Sequence, residues 1–293
     1  MNYPIFSTLV FFSLSIFGCN NQETIDVKSE SKPKQIQQEN KVVKFITDSS
    51  ATTIGNRFGF SGPLKRQEVD QNSFQFYLRN LVLKPIESEV RLYNGDSKWN
   101  NNVYCSVVDL PIGKKDLHQC ADAIMHLKAR YHYERQEYDS IGFHFVNGFY
   151  CDYRHWKDGY RTSSNKTAWV RKAEPNNSEE TFWRYLETVF MFAGTASLTN
   201  ELKPIELTEL RAGDVFIRGG SPGHAVVVLD LAIDTLKNEK YFILGQSYMP
   251  AQDLQVLKNN KYEDISPWVS LTSVQYIVST PEWTFEPENL KRF

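Results

Sequence analysis

The chain has 293 residues, with 33 Lys and Arg against 35 Asp and Glu and a formal net charge of -2. That length allows one large or two small domains, and 41% hydrophobic residues can fill a sizeable core. No basic block is present, so the charge pattern excludes a nucleic-acid footprint, and no internal repeat is visible.

Ile5 to Phe17 is mostly apolar, broken only by Ser and Thr, and is too short to span a membrane. Residues 1–18 therefore read as a targeting segment outside the fold. Residues 19–50 are rich in Gln, Lys, Glu, Asn and Ser and bury too little apolar surface to offset their ordering entropy. They are expected to be a disordered tether, followed by a single globular α+β domain over 51–293.

Within that domain, Ser73 to Leu81 has the apolar face of a short helix. Val90 to Tyr93 and Val103 to Val108 read as strands around the turn signal Asn94-Gly95-Asp96. A long helix is expected from about Lys114 to Glu137, because Leu117, Ala121, Ile124, Leu127 and Tyr131 recur at helical spacing. Ile141 to Phe145 alternates like a strand. Ser178 with Glu179 and Glu180 marks the start of a second helix, which runs over Thr181 to Phe192.

The most informative stretch is Arg211-Ala-Gly-Asp-Val-Phe-Ile-Arg-Gly-Gly-Ser-Pro-Gly-His224-Ala-Val-Val-Val-Leu-Asp230. It reads as strand, Gly/Pro turn, strand, with His224 at the mouth of the second strand. Asp214 reads as a turn residue bonding its local backbone. Tyr241 to Leu244 is a third apolar run, leading into Gln246 and Ser247. The aromatic segment Thr280 to Phe285 is expected to pack on the domain.

Besides Cys19, the chain has Cys105, Cys120 and Cys151. An odd number leaves at least one thiol unpaired, and a bridge between Cys105 and Cys151 would leave Cys120 free. Cys120 lies near a helix start, where backbone N–H groups favour a thiolate. It can equally be a small buried core thiol. None of the six His has metal-ligand spacing, so no metal site and no cofactor is expected. Ser221 and Ser247 carry hydroxyls, but neither sits in a Gly-x-Ser-x-Gly elbow.

Ser15-Ile16-Phe17-Gly18-Cys19 resembles the lipobox of bacterial lipoproteins. The resemblance implies cleavage before Cys19, acylation of that residue, and attachment to a membrane outside the cytoplasm in the cell envelope. The alternative is an ordinary secretory signal with an accidental Cys. The folded region also resembles a bacterial lipoprotein family of unknown function, through Gln-Cys-Ala-Asp-Ala, Gly-Ser-Pro-Gly-His-Ala and Gln-Ser-Tyr-Met-Pro-Ala-Gln.

A helix-start Cys, a strand opening Gly-His and an adjacent strand ending in a polar residue resemble papain-like cysteine peptidases and amidases, especially NlpC-type and CHAP-type cell-wall enzymes. Leu210-Arg-Ala-Gly-Asp-Val-Phe, Gly223-His224-Ala-Val-Val-Val and Gln119-Cys120-Ala-Asp-Ala are the matching stretches. The resemblance implies a papain-like arrangement of helices on a small antiparallel sheet, with an inserted helical segment over Ile141 to Gly194. It implies Cys120, His224 and Gln246 as catalytic residues. Gln119, Ser221 and Ser247 fall where oxyanion or substrate contacts would lie. Two functions follow as expectations: a lipid-anchored hydrolase acting on amide bonds of cell-wall peptides, or a non-catalytic module binding a peptide or glycan in the same cleft.

Overall fold

The computed structural model describes residues 11–13 and 42–293. The signal-peptide expectation, Cys19 and most of the tether expectation lie outside the described residues. Among the described residues no helix is long and apolar enough to cross a membrane.

The chain begins with β1 (Lys44–Thr47), α1 (Ile54–Arg57), β2 (Phe58–Ser61), β3 (Leu64–Arg66), α2 (Phe74–Arg79) and β4 (Tyr104–Val107). Next come α3 (Cys120–Glu134), β5 (Gly142–His144), β6 (Tyr150–Asp152), α4 (Tyr153–Lys157), β7 (Tyr160–Thr162) and β8 (Trp169–Arg171). Then follow α5 (Glu179–Phe192), α6 (Thr195–Glu201), β9 (Lys203–Pro204), β10 (Val215–Arg218), β11 (His224–Asp234) and β12 (Glu239–Gln246). The last strands are β13 (Gln255–Leu257), β14 (Trp268–Ser270), β15 (Val278–Ser279), β16 (Thr284–Phe285) and β17 (Leu290–Arg292).

The described residues form a mixed α and β fold with six α-helices and one dominant antiparallel sheet. That sheet has nine strands, in the order β4-β13-β12-β11-β10-β17-β9, with β14 also on β12 and β3 also on β11. It is larger than the small sheet expected, because short strands from both ends of the chain add to the central three. β11 is apolar without strict alternation because both faces of the sheet are covered. On one face Ala225, Val227 and Leu229 join the core that holds Ile124 and Leu127 of α3 and Phe182 and Leu186 of α5. On the other, Val226 and Val228 pack with Phe216, Leu244, Phe285 and Leu290. A bulge between Val228 and Asp230 shifts the register of β11 on β12. Asp230 is fully buried there, paired with Arg66 at 3.0 Å and Arg79 at 2.8 Å.

Three expectations change. The folded part begins before residue 51, because β1 pairs with β2 and Phe45 packs against Tyr241 and Trp268. Polar neighbours hid this strand. The turn at Asn94-Gly95 closes on bridges of Arg91 with Ser97 and Leu92 with Gln252, not on two flanking strands, and β4 pairs with β13. The 141–194 region holds two hairpins, β5-β6 and β7-β8, as well as α5. The helix starts expected at Ser73 and Ser178 are real caps: each hydroxyl accepts the N–H three residues on. α6, which follows Gly194 at once, gave no periodic signal.

Candidate functional site

The helix α3 starts at Cys120, six residues later than the apolar spacing suggests. Residues 115–119 are diverted by outside partners. Asp116 Oδ1 accepts the Ala251 N–H at 2.7 Å, and the His118 carbonyl lies 3.0 Å from Ser247 Oγ. These contacts strap the turn before Cys120 to the segment that leaves β12. The helix then opens with Asp122 Oδ2 accepting the Gln119 N–H at 3.0 Å. Cys120 is thus the first helical residue, and the N–H groups of Cys120, Ala121 and Ala225 act on its sulfur.

His224 opens β11. The turn before it is forced by Gly220, at φ 122°, and by Gly223, where a Cβ would lie 2.4 Å from Thr195 Oγ1. Gly245 faces Val227 across the ladder, so Gln246 falls beside Val226 and diagonal to His224 on the same face. His224 Nε2 and Gln246 Oε1 are 2.9 Å apart. Gln246 Nε2 donates to Glu282 Oε2 at 2.6 Å, and Lys98 Nζ reaches the same oxygen at 2.8 Å.

This chain sets the tautomer. Only the amide nitrogen can face the Glu282 carboxylate, so the amide oxygen faces His224. His224 then carries its proton on Nε2, and Nδ1 keeps the lone pair that a general base needs. Tyr248, Trp283 and Phe285 enclose the imidazole at ring distances of 4.9, 5.3 and 5.9 Å. Burial lowers the His224 pKa to about 4; the Gln246 bond opposes the shift and Lys98 adds to it.

Cys120 is 8% exposed, and burial pushes its thiol up to about 11, with Asp122 adding to the rise. The amides of Ala121, Ala225 and Cys120 act the other way. Burial outweighs the helix end: a rise of this size is on the order of 3 kcal/mol, against roughly 0.3–1 kcal/mol from a helix terminus. The expectation of a thiol ionised by its helix position is therefore reversed: thiol and imidazole both rest neutral, and no hydrogen bond joins them, α3 packing on the Ala225 face of β11 while the His224 ring lies with Trp283 and Phe285.

A groove of about 270 Å³ opens over this helix start, lined by Gln119, Cys120, Asp122, Ser221, Gly223 and Met249 among others. Gln119 Nε2 lies 3.1 Å from Asp116 Oδ1, so its side chain is already held. Ser221 is exposed on the rim. Ser247 is placed otherwise: it is fully buried, its hydroxyl between the carbonyls of His118 and Gln252. It straps the Cys120 turn and offers nothing to a substrate. Asp122 Oδ1 is buried without a hydrogen-bond partner, and burial raises the acid well above its ordinary pKa.

Cys105, Cys120 and Cys151 are all free thiols. Cys151 is fully buried in the helical core, and Cys105 lies on β4 with its thiol 3.7 Å from the Val256 carbonyl. His118 and His126 form a buried pair, Nε2 to Nδ1 at 3.1 Å. Among the described residues no group of three metal-ligating side chains occurs. A larger cavity, about 610 Å³, lies elsewhere, beside α2 and Arg130, and touches none of Cys120, His224 and Gln246.

Sequence reasoning missed Glu282, Lys98 and the aromatic box. An acid beside Trp283 in an aromatic tail was the only visible signal, and Lys98 gave none. Asp214 is the expected turn residue, accepting the Arg211 N–H at 2.7 Å, and it also takes both arms of a bidentate pair with Arg292.

A family model described as a domain of unknown function (4846) matches residues 54–292. No curated protein and no solved structure matches the chain.

Proposed function

The chain belongs to this family of unknown function, and within it we propose that the protein is a papain-like cysteine hydrolase acting on amide bonds. The observation that carries the reading is the oriented imidazole: Gln246 Oε1 at 2.9 Å from His224 Nε2, with Nδ1 left as the base. The helix-start thiol lies under the amide of Ala225, the residue after His224. In this reading Sγ of Cys120 attacks the carbonyl carbon while its proton passes to His224 Nδ1. The Cys120 N–H stabilises the oxyanion. The imidazolium then protonates the leaving amine, and water cleaves the thioester with His224 again as base. Because both groups rest neutral, the proton moves during attack and not before it.

The proposal includes a lipid anchor at Cys19, read from Ile16-Phe17-Gly18-Cys19, and with it a place on a membrane of the bacterial cell envelope. Cell-wall peptides are then the amide substrates within reach.

The second reading is a non-catalytic module that binds a peptide or glycan in the same groove. Burial favours it: the thiol is only 8% exposed and its pKa is pushed up to about 11. Alkylation of the folded protein separates the two. In a hydrolase, iodoacetamide labels Cys120 in the native state, and His224→Ala slows that labelling at a temperature where its melt shows the variant folded. Labelling that appears only after denaturation leaves the binding module.

A further inference from the structure

Beyond Met249 lies a second cavity, of about 490 Å³, whose lining includes Asp96, Trp99, Asn100, Tyr248 and Glu282. Met249 lines both this cavity and the Cys120 groove. Trp99 is 90% exposed, an unusual position for the largest apolar ring. Tyr248 is not free to act as a platform in the same way, because the Lys98 ammonium lies 5.2 Å from its ring centre. Lys98 is itself held by Glu282 and by Gln252 at 3.0 Å, so it is no open cation for an anionic ligand. Asp96 is exposed and Asn100 half-buried; Asp96 Oδ2 accepts from Asn94 Nδ2 at 2.7 Å and Asn100 Nδ2 donates to Glu282 Oε1 at 3.3 Å, which leaves Asp96 Oδ1 and Asn100 Oδ1 as acceptors in the same lining as the indole.

We propose that this cavity is a saccharide subsite, with a pyranose ring lying on Trp99 and its hydroxyls bonded to Asp96 and Asn100. A pyranose has an apolar C–H face and a rim of hydroxyls, which matches an indole beside a carboxylate and an amide. A wholly apolar ligand would strip water from Asp96 and Asn100 and replace none of those hydrogen bonds. The inference rests on the hydrolase reading for its meaning. A substrate crossing Met249 carries its sugar on one side and its scissile amide on the other.

The test separates binding from chemistry. Full-length Cys120→Ala protein is titrated by calorimetry with cellotetraose, maltotetraose and chitotetraose, alone and with Trp99→Ala or Asn100→Ala added. At least one saccharide is expected to bind, and Trp99→Ala to weaken it by roughly tenfold or more. The solvent position of Trp99 keeps that variant folded, which its melt verifies. The proposal is overturned if none of the three binds, or if Trp99→Ala binds as well as its parent. It is also overturned if a phenylalanine-bearing tripeptide binds through Trp99 and the saccharides do not. Saccharide binding together with a native Cys120 that resists alkylation sinks the hydrolase reading and leaves the subsite standing.

Discussion

Gln246 is held by Glu282, its amide nitrogen 2.6 Å from the carboxylate, and this contact decides which nitrogen of His224 carries the proton. An acid 36 residues further along the chain thus sets the chemistry of an imidazole it does not touch. Glu282→Gln removes the lock, because an amide can face Gln246 with either atom. Nitrogen NMR of the His224 ring should show Nε2 protonated and Nδ1 bare in the parent, and mixed tautomers in the variant. Identical spectra would remove Glu282 from the positioning chain.

The same carboxylate makes a buried ion pair with Lys98, the two side chains being 4% and 9% exposed. Lys98→Met alone leaves Glu282 unpaired and should cost roughly 3–5 kcal/mol in denaturant unfolding. Lys98→Met with Glu282→Gln should recover a substantial part of that loss, as no charge is then left behind. Additive losses would show that the pair is not coupled.

Cys120 reactivity should follow its raised pKa. The thiolate is the nucleophile, so the alkylation rate should climb about tenfold per pH unit between 7 and 10. Cys120, pushed up to about 11, should react ahead of Cys151, which is fully buried and whose pKa burial raises further. A rate that stays flat across that range would mean that the Cys120 proton passes to His224 and not to solvent.

Phe45 ties β1 to the domain through Tyr241 and Trp268, at ring distances of 5.3 and 6.1 Å. The ring is half-buried, so Phe45→Ala should lose roughly 1–2 kcal/mol, below the loss for a fully buried Phe. A variant that melts like the parent would show that β1 frays without consequence.

Cys19→Ala tests the anchor separately from the fold. The variant should leave the membrane fraction and appear soluble, with its melt and its Cys120 labelling unchanged. Retention in the membrane fraction refutes lipidation at Cys19.

The parts legible in the sequence are those built by local rules. His224 could be assigned to the mouth of a strand because the tight Gly-Pro-Gly turn sets the pairing of β10 with β11, and Gln246 to the end of the next apolar run. Cys120 could be assigned to a helix start, but the residue at which the helix begins depends on Ala251 and Ser247, more than a hundred positions away. Burial was the least legible quantity. The helix-end effect on Cys120 was visible in one dimension, whereas the desolvation that overrides it comes from β11 and from chain folded over the site. Lys98 and Glu282 had no periodicity to mark them, since each sits in irregular chain and is defined only by the other.

The order of synthesis gives the C-terminal contributions a further meaning. A ribosome that has passed Gln246 has delivered the thiol, the imidazole and the amide, but not yet Glu282, Trp283 or the strand β17 beside β10. Until residues 282–292 emerge, Gln246 can present either amide atom, the imidazole has no fixed tautomer, and Asp214 waits for Arg292. The unfinished chain therefore carries His224 and Gln246 with their hydrogen bonding unset, and residues 282–292 fix it.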